Sequence, residues 1–572
     1  MSHIEEYYVQ QAQTGSGMGY FAGSSTQKGA GIGSLLGGLF RSIFPFLKQG
    51  ASVVGREALR AGSHILADAA SGDVPLNTSL KQHLSEAGRN LDEWKWYKAK
   101  ENRGIFSVFA RTSHRKDTKE VKARPRTHFF KMSFLHNASV EALRTELALW
   151  AIPPTQTVLE GGQWIPYKPI TSIDQSNTVE FCVPGTGNEY IDPAHTLLQV
   201  RGKIVDSQDL DFTADDKNEA TPINYLLHSL WSQVDVSLNQ KVISQSAMTY
   251  PYRSYIESLL AYDAPAKNSH MSMRMWYKDT AGYMDEVKPQ NNEGLKAPQL
   301  GRHELTKNSK MFEVMGPIHS DFFNQDRFLL NNVELRIKLT RQRDPFVLMS
   351  TFQNEKLLIL DATLLVRKVR ISPTVLLGHA AALEKAPAKY PLTRVDLKTI
   401  TIPAGLQDKT ISNLHLGQIP KRIIIGFVTN QAFNGHYQSN PYNFQHFNLN
   451  YLSLFVDTQQ IPAQPLTPDF ERNLHIDAYN TLFSGTGIHW KDEGNDITYA
   501  EYPRGYTLYA FDISQDLSAN ESHWNLQRQG IVRMEVKFAK PLTTAVNCIV
   551  FSEFYNLIEI DKNRNVVVDY GV

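Results

Sequence analysis

The chain has 572 residues, of which 42% are hydrophobic and 20% charged, and its formal net charge is +1. This length allows two to four domains, and the balanced charge excludes a chain that binds nucleic acid or anionic membranes through its overall charge. Two cysteines, Cys182 and Cys548, are too few for a disulfide framework or a cysteine-rich zinc site. Both lie in strand-like segments, which predicts buried free thiols.

The start of the chain lacks the features of a secreted or membrane protein. The first 30 residues are polar and glycine-rich, with no basic segment ahead of an apolar one. No run of about 18 uncharged apolar residues follows, so we expect no transmembrane span. The free thiols and the missing signal predict an intracellular protein in a reducing compartment such as the nucleus.

Residues 1–94 are rich in Gly, Ala and Ser and predict a short α-helical, partly disordered region. Within it, Gly31–Gly50 reads GIGSLLGGLFRSIFPFLKQG and has the apolar spacing of an amphipathic helix, kinked at Pro45. The predicted apolar face comprises Leu36, Leu39, Phe40, Ile43, Phe44 and Leu47. Such a face suits either a membrane interface or a docking site on another protein. Two further short helices are predicted over Ser52–Ala70 and Thr78–Glu86.

Residues 95–131 form a basic segment. It contains twelve Lys and Arg against three acidic residues, and it has little secondary-structure periodicity. A disordered, solvated linker is one interpretation, and phosphate contact with packaged DNA is the other. The candidate nucleic-acid contacts are Arg111, Arg115, Lys116, Lys119, Lys122, Arg124 and Arg126.

The remaining chain, from residue 132, is predicted to be mainly β. Apolar and polar residues alternate strictly in VELRIKL and VRMEVKF, which is typical of strands with one buried face. Further strands are predicted over residues 196–205, 232–239, 356–371, 421–428, 448–457 and 547–561. Helices are predicted only over 253–264 and 374–386.

The second of these helices divides the β-rich part into residues 132–386 and 387–572. Each part has the size of one β-sandwich, and the long loops rich in Pro, Gly, Asn and Asp favour jelly rolls over tight meanders. The predicted fold class is therefore two tandem jelly-roll β-sandwiches, a double jelly roll.

Motifs of catalysis are missing from the sequence. It contains no H-E-x-x-H, G-x-S-x-G, P-loop or Rossmann fingerprint. Residues 322–328 and 489–496 cluster Asp, Glu and Asn, which suits polar turns or a divalent cation. We predict a structural or interaction protein, not an enzyme, with no catalytic residues, cofactor or metal.

Four long stretches carry a family resemblance. They are MSFLHNASVEALRTELALWAIPPTQT, SDFFNQDRFLLNNVELRIKL, NPYNFQHFNLNYLSLFVD and LTTAVNCIVFSEFYNLIEIDKNRNVVVDY. They resemble the major capsid protein of Polinton/Maverick elements and adintoviruses, which are virus-like elements integrated in animal genomes. The likeness extends from Met132 to Tyr570.

The resemblance implies a structural role in a virion. Members of this family have a double jelly roll, and three copies form a pseudo-hexagonal capsomer that tiles an icosahedral shell. The implied partners are other copies of the chain, other capsid proteins such as the vertex protein, and membrane or packaged DNA through the N-terminal region. The implied location is the virion capsid.

The N-terminal region resembles a different protein of the same elements. EEYYVQQAQTGSGMGYFAGSS and the following GIGSLLGGLFRSIFPFLKQGA are similar to a small minor virion protein, of the membrane-lytic or core type found in adenoviruses. The stand-alone capsid protein would begin at Met132. Either the two proteins are fused, or a gene model has joined neighbouring genes.

Leu35-Leu36-Gly37-Gly38 fits the preference of adenovirus-type proteases for an aliphatic residue, any residue and two glycines. Gly37 and Gly38 are therefore a candidate processing site. Leu159-Glu160-Gly161-Gly162 also fits, but it is expected to lie in a folded loop.

Two alternatives to a major capsid protein remain open. A minor capsid or vertex protein of the same elements is the first, although one sandwich is the usual vertex design. A carbohydrate-binding or carbohydrate-active β-sandwich protein is the second, although no carboxylate pair marks a hydrolase site.

Overall fold

The structure, a computed structural model, describes residue 149 and residues 152–173, 177–213, 220–244, 247–287, 291–296, 301–352 and 354–569. The predicted helices of residues 1–94 and the basic segment 95–131 lie outside the described residues.

Strands are the main regular secondary structure of the described chain. They are β1 (Leu159–Tyr167), β2 (Thr178–Val183), β3 (Glu189–Val205), β4 (Thr221–Pro222), β5 (Trp231–Leu238), β6 (Lys241–Val242), β7 (Phe312–Pro317), β8 (Leu335–Arg341), β9 (Leu348–Met349), β10 (Lys356–Ile371), β11 (Ala388–Ile402), β12 (Asp408–Gln418), β13 (Arg422–Thr429), β14 (Leu449–Val456), β15 (Gln459–Leu466), β16 (Leu508–Asp512), β17 (Gln529–Phe538), β18 (Val546–Ile560) and β19 (Val566–Asp569). All of the strands predicted from alternation are confirmed.

Helices are short and lie in the connections. They are α1 (Leu226–Ser229), α2 (Tyr250–Ala261), α3 (Ala264–Lys267), α4 (Glu293–Lys296), α5 (Arg302–Thr306), α6 (Asp344–Val347), α7 (Pro373–Leu383), α8 (Asn430–Asn434) and α9 (Ile476–Ser484), with 3-10 helices at His270–Arg274 and Asp321–Asn324. Both predicted helices exist. Helix α2 begins three residues earlier than predicted, because Pro251 fits the first turn, where its missing N–H costs nothing.

Two pairs of antiparallel sheets show the same strand order twice. The first pair is β1-β10-β3-β7 and β2-β8-β5-β6, and the second is β11-β18-β13-β16 and β12-β17-β14-β15. In each sheet, a strand from the end of the domain lies between the first strand of that sheet and an earlier strand. For example, β10 lies between β1 and β3, and β18 lies between β11 and β13. This repeated crossing order is that of a jelly roll, so the predicted double jelly roll is confirmed.

The alternation seen in the sequence decides which side chains enter the core. In β8, Leu335, Ile337 and Leu339 are fully buried, while Arg336 and Lys338 face outward. The buried apolar side chains of both jelly rolls form one continuous cluster. Because a slip of one residue would expose a whole apolar set, this pattern also fixes the register of each strand.

The two cysteines differ in their surroundings. Cys548 lies in β18 and is buried, as predicted, and burial raises the pKa of its thiol. The prediction for Cys182 is wrong in part, because this thiol is only half-buried. It shares the outer face of β2 with Glu180, while Phe181 and Val183 occupy the inner face.

Candidate assembly surfaces

Long connections from both jelly rolls meet at one place, which we call the crown. The crown consists of the described residues of 243–311 (between β6 and β7), 430–448 (between β13 and β14) and 467–507 (between β15 and β16). The Gly282 N–H donates to the Arg504 carbonyl at 2.8 Å. The Lys267 ammonium, which is buried, donates to the Asn495 carbonyl at 2.6 Å. These bonds tie the first jelly roll to the second.

A fully buried ion pair lies at the centre of the crown. The Asp279 carboxylate binds the Arg302 guanidinium, and neither side chain is exposed to solvent. The Asp279 carboxylate also accepts from the side-chain amides of Asn292 at 2.8 Å and Asn440 at 3.1 Å. Asn440 belongs to the second jelly roll, so this network crosses the junction. A buried pair repays its desolvation only when such extra bonds satisfy it.

Aromatic stacking adds an apolar contact across the same junction. Tyr442, from the connection between β13 and β14, stacks on Tyr255 of α2 with ring centroids 4.0 Å apart and an interplanar angle of 3°. The hydroxyls of Tyr442 and Ser229 are 2.6 Å apart. The sequence left open whether the aromatic segment 440–451 lies at an interface or in the core. Tyr442 is fully buried, so this residue of the segment lies in the core.

A second polar cluster joins the first jelly roll to β11. The Asp321 carboxylate accepts the Val395 N–H of β11 at 3.2 Å and lies 2.6 Å from the Arg253 guanidinium. Arg253 also pairs with Glu257 at 2.9 Å. Burial alone would raise the pKa of Glu257, but Arg253 and His319 outweigh burial and lower the pKa to about 2.

His319 completes this cluster as a neutral ring. Its Nδ1 lies 2.6 Å from the Glu257 carboxylate and its Nε2 lies 2.8 Å from the Tyr225 hydroxyl, which suits Nδ1–H donation to Glu257. Burial lowers the pKa of His319 and holds that of neighbouring His228 well below the usual range. The Glu257 carboxylate opposes the lowering of the His319 pKa, and the guanidinium groups of Arg253 and Arg274 add to it.

Acidification will therefore weaken the junction. In the unfolded chain these histidines bind protons below about pH 6.5, whereas in the folded chain they do so only at lower pH. The unfolded state thus binds more protons, and the free energy of unfolding falls as the pH drops from about 6.5 toward the lowered pKa values, by about 1.4 kcal/mol for each pKa unit of lowering. Urea titrations between pH 7 and 4 will measure this. The His319→Gln variant should show a shallower pH dependence, and an equal slope in both proteins would contradict the assignment.

An apolar patch lies uncovered on the second jelly roll. Leu416 in β12 and Ile531 in β17 are directly opposite each other, and they are 73% and 41% exposed. The segment that leads into β17 also exposes Trp524 and, at 80%, Leu526. We call Leu416 and Ile531 the β12–β17 patch. Because β12 is an edge strand, its free backbone groups lie beside the patch.

The site residues predicted from sequence fall in the part of the chain that the structure does not describe. The apolar face of residues 36–47, the glycines 37 and 38 and the seven basic residues between 111 and 126 lie outside the described residues. The second Gly-Gly sequence is described, and it lies in strand β1, where Gly162 pairs with Val369 of β10, rather than in a loop. The backbone there is extended because β1 pairs with β10 and forms the edge of its sheet.

The acidic clusters of residues 322–328 and 489–496 form turns and a 3-10 helix. Among the described residues, no group of three or more His, Cys, Asp or Glu side chains is placed to hold a metal ion. In the same part of the chain, each helix falls short of the length and apolarity needed to cross a bilayer.

Known proteins resemble this chain in sequence or in fold. No protein-family model matches the chain. A relative in Caenorhabditis elegans, an uncharacterized protein, is 24% identical over 434 residues, covering 73% of this chain and 99% of its own. A chain of the Sputnik virophage structure superposes with a TM-score of 0.51 at 13% identity, covering 76% of this chain and 93% of that one. The mavirus major capsid protein gives a TM-score of 0.40 at 9% identity, covering 80% of this chain and 97% of its own. The Sputnik likeness shows that the chain shares the fold of a virophage protein.

Proposed function

We propose that this chain is the major capsid protein of a virus-like element of the Polinton/Maverick and adintovirus type. In this proposal its role is structural: three copies form a pseudo-hexagonal capsomer, and capsomers form an icosahedral shell. The observation that carries the proposal is the repetition of one jelly-roll order in a single chain, held together by a buried junction. Three such chains present six similar sandwiches, which is the number that a pseudo-hexagon needs.

Three further observations support this function. The fold is shared with a protein of the Sputnik virophage, and a viral shell is a natural use of it. The sequence resemblance from Met132 to Tyr570 points to the Polinton and adintovirus type more specifically. The buried bonds and stacked rings of the crown support the same role, because a subunit that bends between its halves would lose its shape on assembly.

Assembly requires surfaces that bury enough area on each copy. A stable interface buries about 800 Å² on each partner, and its centre is usually apolar. The β12–β17 patch offers such a centre beside a free strand edge. We propose that it contacts a neighbouring copy of the chain in a head-to-tail ring, since a trimer closes through contacts between two different surfaces.

Charged residues in the patch will weaken self-association. We expect Leu416→Asp and Ile531→Asp to raise the dissociation constant by about tenfold or more, because each buries an unpaired carboxylate in the interface. Both positions are exposed in the single chain, so its stability should change by only about 0.5 kcal/mol. Sedimentation velocity over a concentration series will measure the masses. Ser412→Asp places the same charge on an exposed position of the same strand and should leave association intact.

The trimer itself is tested by the same measurement. The proposal expects the wild-type chain to sediment at three times the mass of one chain or as larger assemblies. A protein that stays monomeric at every concentration would contradict it. If Leu416→Asp, Ser412→Asp and the wild type have equal dissociation constants, the trimer stands but the patch is not its contact.

The N-terminal predictions remain part of the proposal. The face of Leu36, Leu39, Phe40, Ile43, Phe44 and Leu47 would bind membrane or dock on the capsid or core, and the basic residues from Arg111 to Arg126 would contact packaged DNA. If a peptide of residues 31–62 and its Phe40→Asp/Phe44→Asp form both fail to make liposomes leak, docking remains as the role of this apolar face. Cleavage after Gly38 would release residues 1–38 and leave the rest of the N-terminal region on the capsid protein.

A further inference from the structure

A cleft of about 530 Å³ opens in the crown between the two jelly rolls. Its lining comprises Gly282, Tyr283, Asp285, Glu286 and Asn291 from the first jelly roll, and Asn443 with residues 445–448 and 503–505 from the second. Its volume falls within the range of about 300–1,000 Å³ that is typical of small-molecule sites. Neither Leu416 nor Ile531 lines it, so the proposed contact through the β12–β17 patch does not account for it.

The backbone around the cleft is held in unusual conformations. The consecutive residues Phe447 and Asn448 have φ angles of 47° and 53°, in the left-handed region that residues other than glycine rarely adopt. Gly505 has φ 119°, and a Cβ there would collide with the Met284 sulfur. Each strained non-glycine residue costs about 1–3 kcal/mol, and such residues concentrate at functional sites.

Polar groups in the cleft are available to a ligand. The Oε2 of Glu286 is buried without a hydrogen bond, while its Oε1 accepts from the Asn291 amide at 3.2 Å. Arg504 and Tyr283 line the cleft with exposed side chains, so the guanidinium and the hydroxyl are open to solvent and to a ligand. A buried carboxylate oxygen without a bond is costly, and a ligand that donates to it would remove that cost.

His446 adds a donor of defined tautomer. Its Nδ1 accepts the Asn448 N–H at 2.9 Å, so the proton lies on Nε2. Burial lowers the pKa of His446 to about 4, which keeps the ring neutral at physiological pH. Its ring stacks on Phe470 with centroids 4.1 Å apart, which fixes its orientation. The neighbouring Asp285 is held in place by bonds from Asn440 at 2.7 Å and Asn443 at 2.6 Å.

The chemistry of these groups selects one class of ligand. The two carboxylates of Asp285 and Glu286 repel a phosphate or an acidic sugar, and the guanidinium of Arg504 repels a bare cation. A hydroxyl group both donates to a carboxylate and accepts from a guanidinium or an imidazole N–H, so a ligand rich in hydroxyls satisfies all of them. The half-exposed Tyr283 ring offers an apolar face for the ring of a sugar. We propose that the crown cleft binds a neutral hexopyranose of a glycan, with Glu286 and Arg504 as the hydroxyl-binding residues.

Saturation-transfer NMR on the full chain tests this binding. The probes are the methyl glycosides of glucose, galactose and mannose, with methyl glucuronide as the acidic comparison. The proposal expects transfer to the ring protons of at least one neutral glycoside and a weaker signal from the glucuronide. The cleft belongs to a single chain, so the result does not depend on whether the chain assembles.

Variants decide whether the cleft is the site. Glu286→Gln and Arg504→Gln should each weaken binding by about tenfold or more, since a good hydrogen bond to a charged group has about this effect. Glu493→Gln and Arg472→Gln remove the same charges from exposed positions of the crown and should leave binding unchanged. Thermal melting of all four variants establishes that they are folded. No transfer from any neutral glycoside, stronger binding of the glucuronide, or equal binding by all four variants would overturn the proposal.

Discussion

Replacing Asp279 by alanine will lower the free energy of unfolding by about 3–5 kcal/mol. The substitution leaves the fully buried Arg302 guanidinium without its counter-charge, and it removes the acceptor for the Asn292 and Asn440 amides. Because Asn440 comes from the second jelly roll, the loss will also loosen the junction between the two halves. Urea unfolding followed by tryptophan fluorescence will measure the change.

Asp361 provides the matched control for Asp279. Its carboxylate pairs with Lys168 at 2.7 Å, but both side chains are exposed. Exposed pairs contribute only about 0–1 kcal/mol, so Asp361→Ala should be close to neutral. A loss below about 1 kcal/mol for Asp279→Ala would mean that the buried pair does not hold the crown together.

Tyr442→Ala will have an effect of similar size for a different reason. Removing this fully buried ring leaves a cavity against Tyr255 and takes away stacking across the junction, which together should cost about 3–5 kcal/mol. Tyr442→Phe keeps the ring and loses only the bond to Ser229, so it should cost about 1 kcal/mol. The same urea titrations will compare the two.

The ratio of these two effects distinguishes packing from hydrogen bonding. If the stacked ring joins the jelly rolls, the alanine variant must lose clearly more stability than the phenylalanine variant. If Tyr442→Phe proves as harmful as Tyr442→Ala, the hydroxyl network makes the junction instead. If both are close to neutral, the residue does not contribute to the junction.

The double jelly roll was predictable because the sequence carries the signal locally. Each strand with one buried face alternates with period 2, as Val532, Met534, Val536 and Phe538 do in β17, and this pattern is visible without any partner strand. The sheet order was not visible in this way, since pairings such as β1 with β10 join residues about 200 positions apart. Strand spacing, loop length and the family resemblance indicate it instead.

The crown was not predictable from the sequence. Asp279 and Arg302 lie 23 residues apart, Asp279 and Asn440 lie 161 apart, and no periodic pattern links them. The one available signal was the aromatic and asparagine-rich segment NPYNFQHFNLNY, whose composition fits an interface and a core equally. In the fold it supplies Asn440 and Tyr442 to the junction and His446 to the cleft.

Cys182 shows where a local pattern misleads. The segment VEFCVP has strand-like composition, which predicts a buried thiol, but period-2 alternation puts Cys182 on the face opposite Phe181 and Val183. Burial still raises the pKa of its thiol, and the neighbouring Glu334 raises it further. Assigning each residue of the strand to a face, rather than assigning the segment as a whole, would have found this.

Electron microscopy of the purified chain tests most directly whether two jelly rolls in one rigid chain serve as one third of a capsomer. We predict particles with a pseudo-hexagonal outline made of three chains, each contributing two sandwiches, and closed shells under assembly conditions. Isolated single chains under all of those conditions, or rings of a different number of copies, would contradict this role.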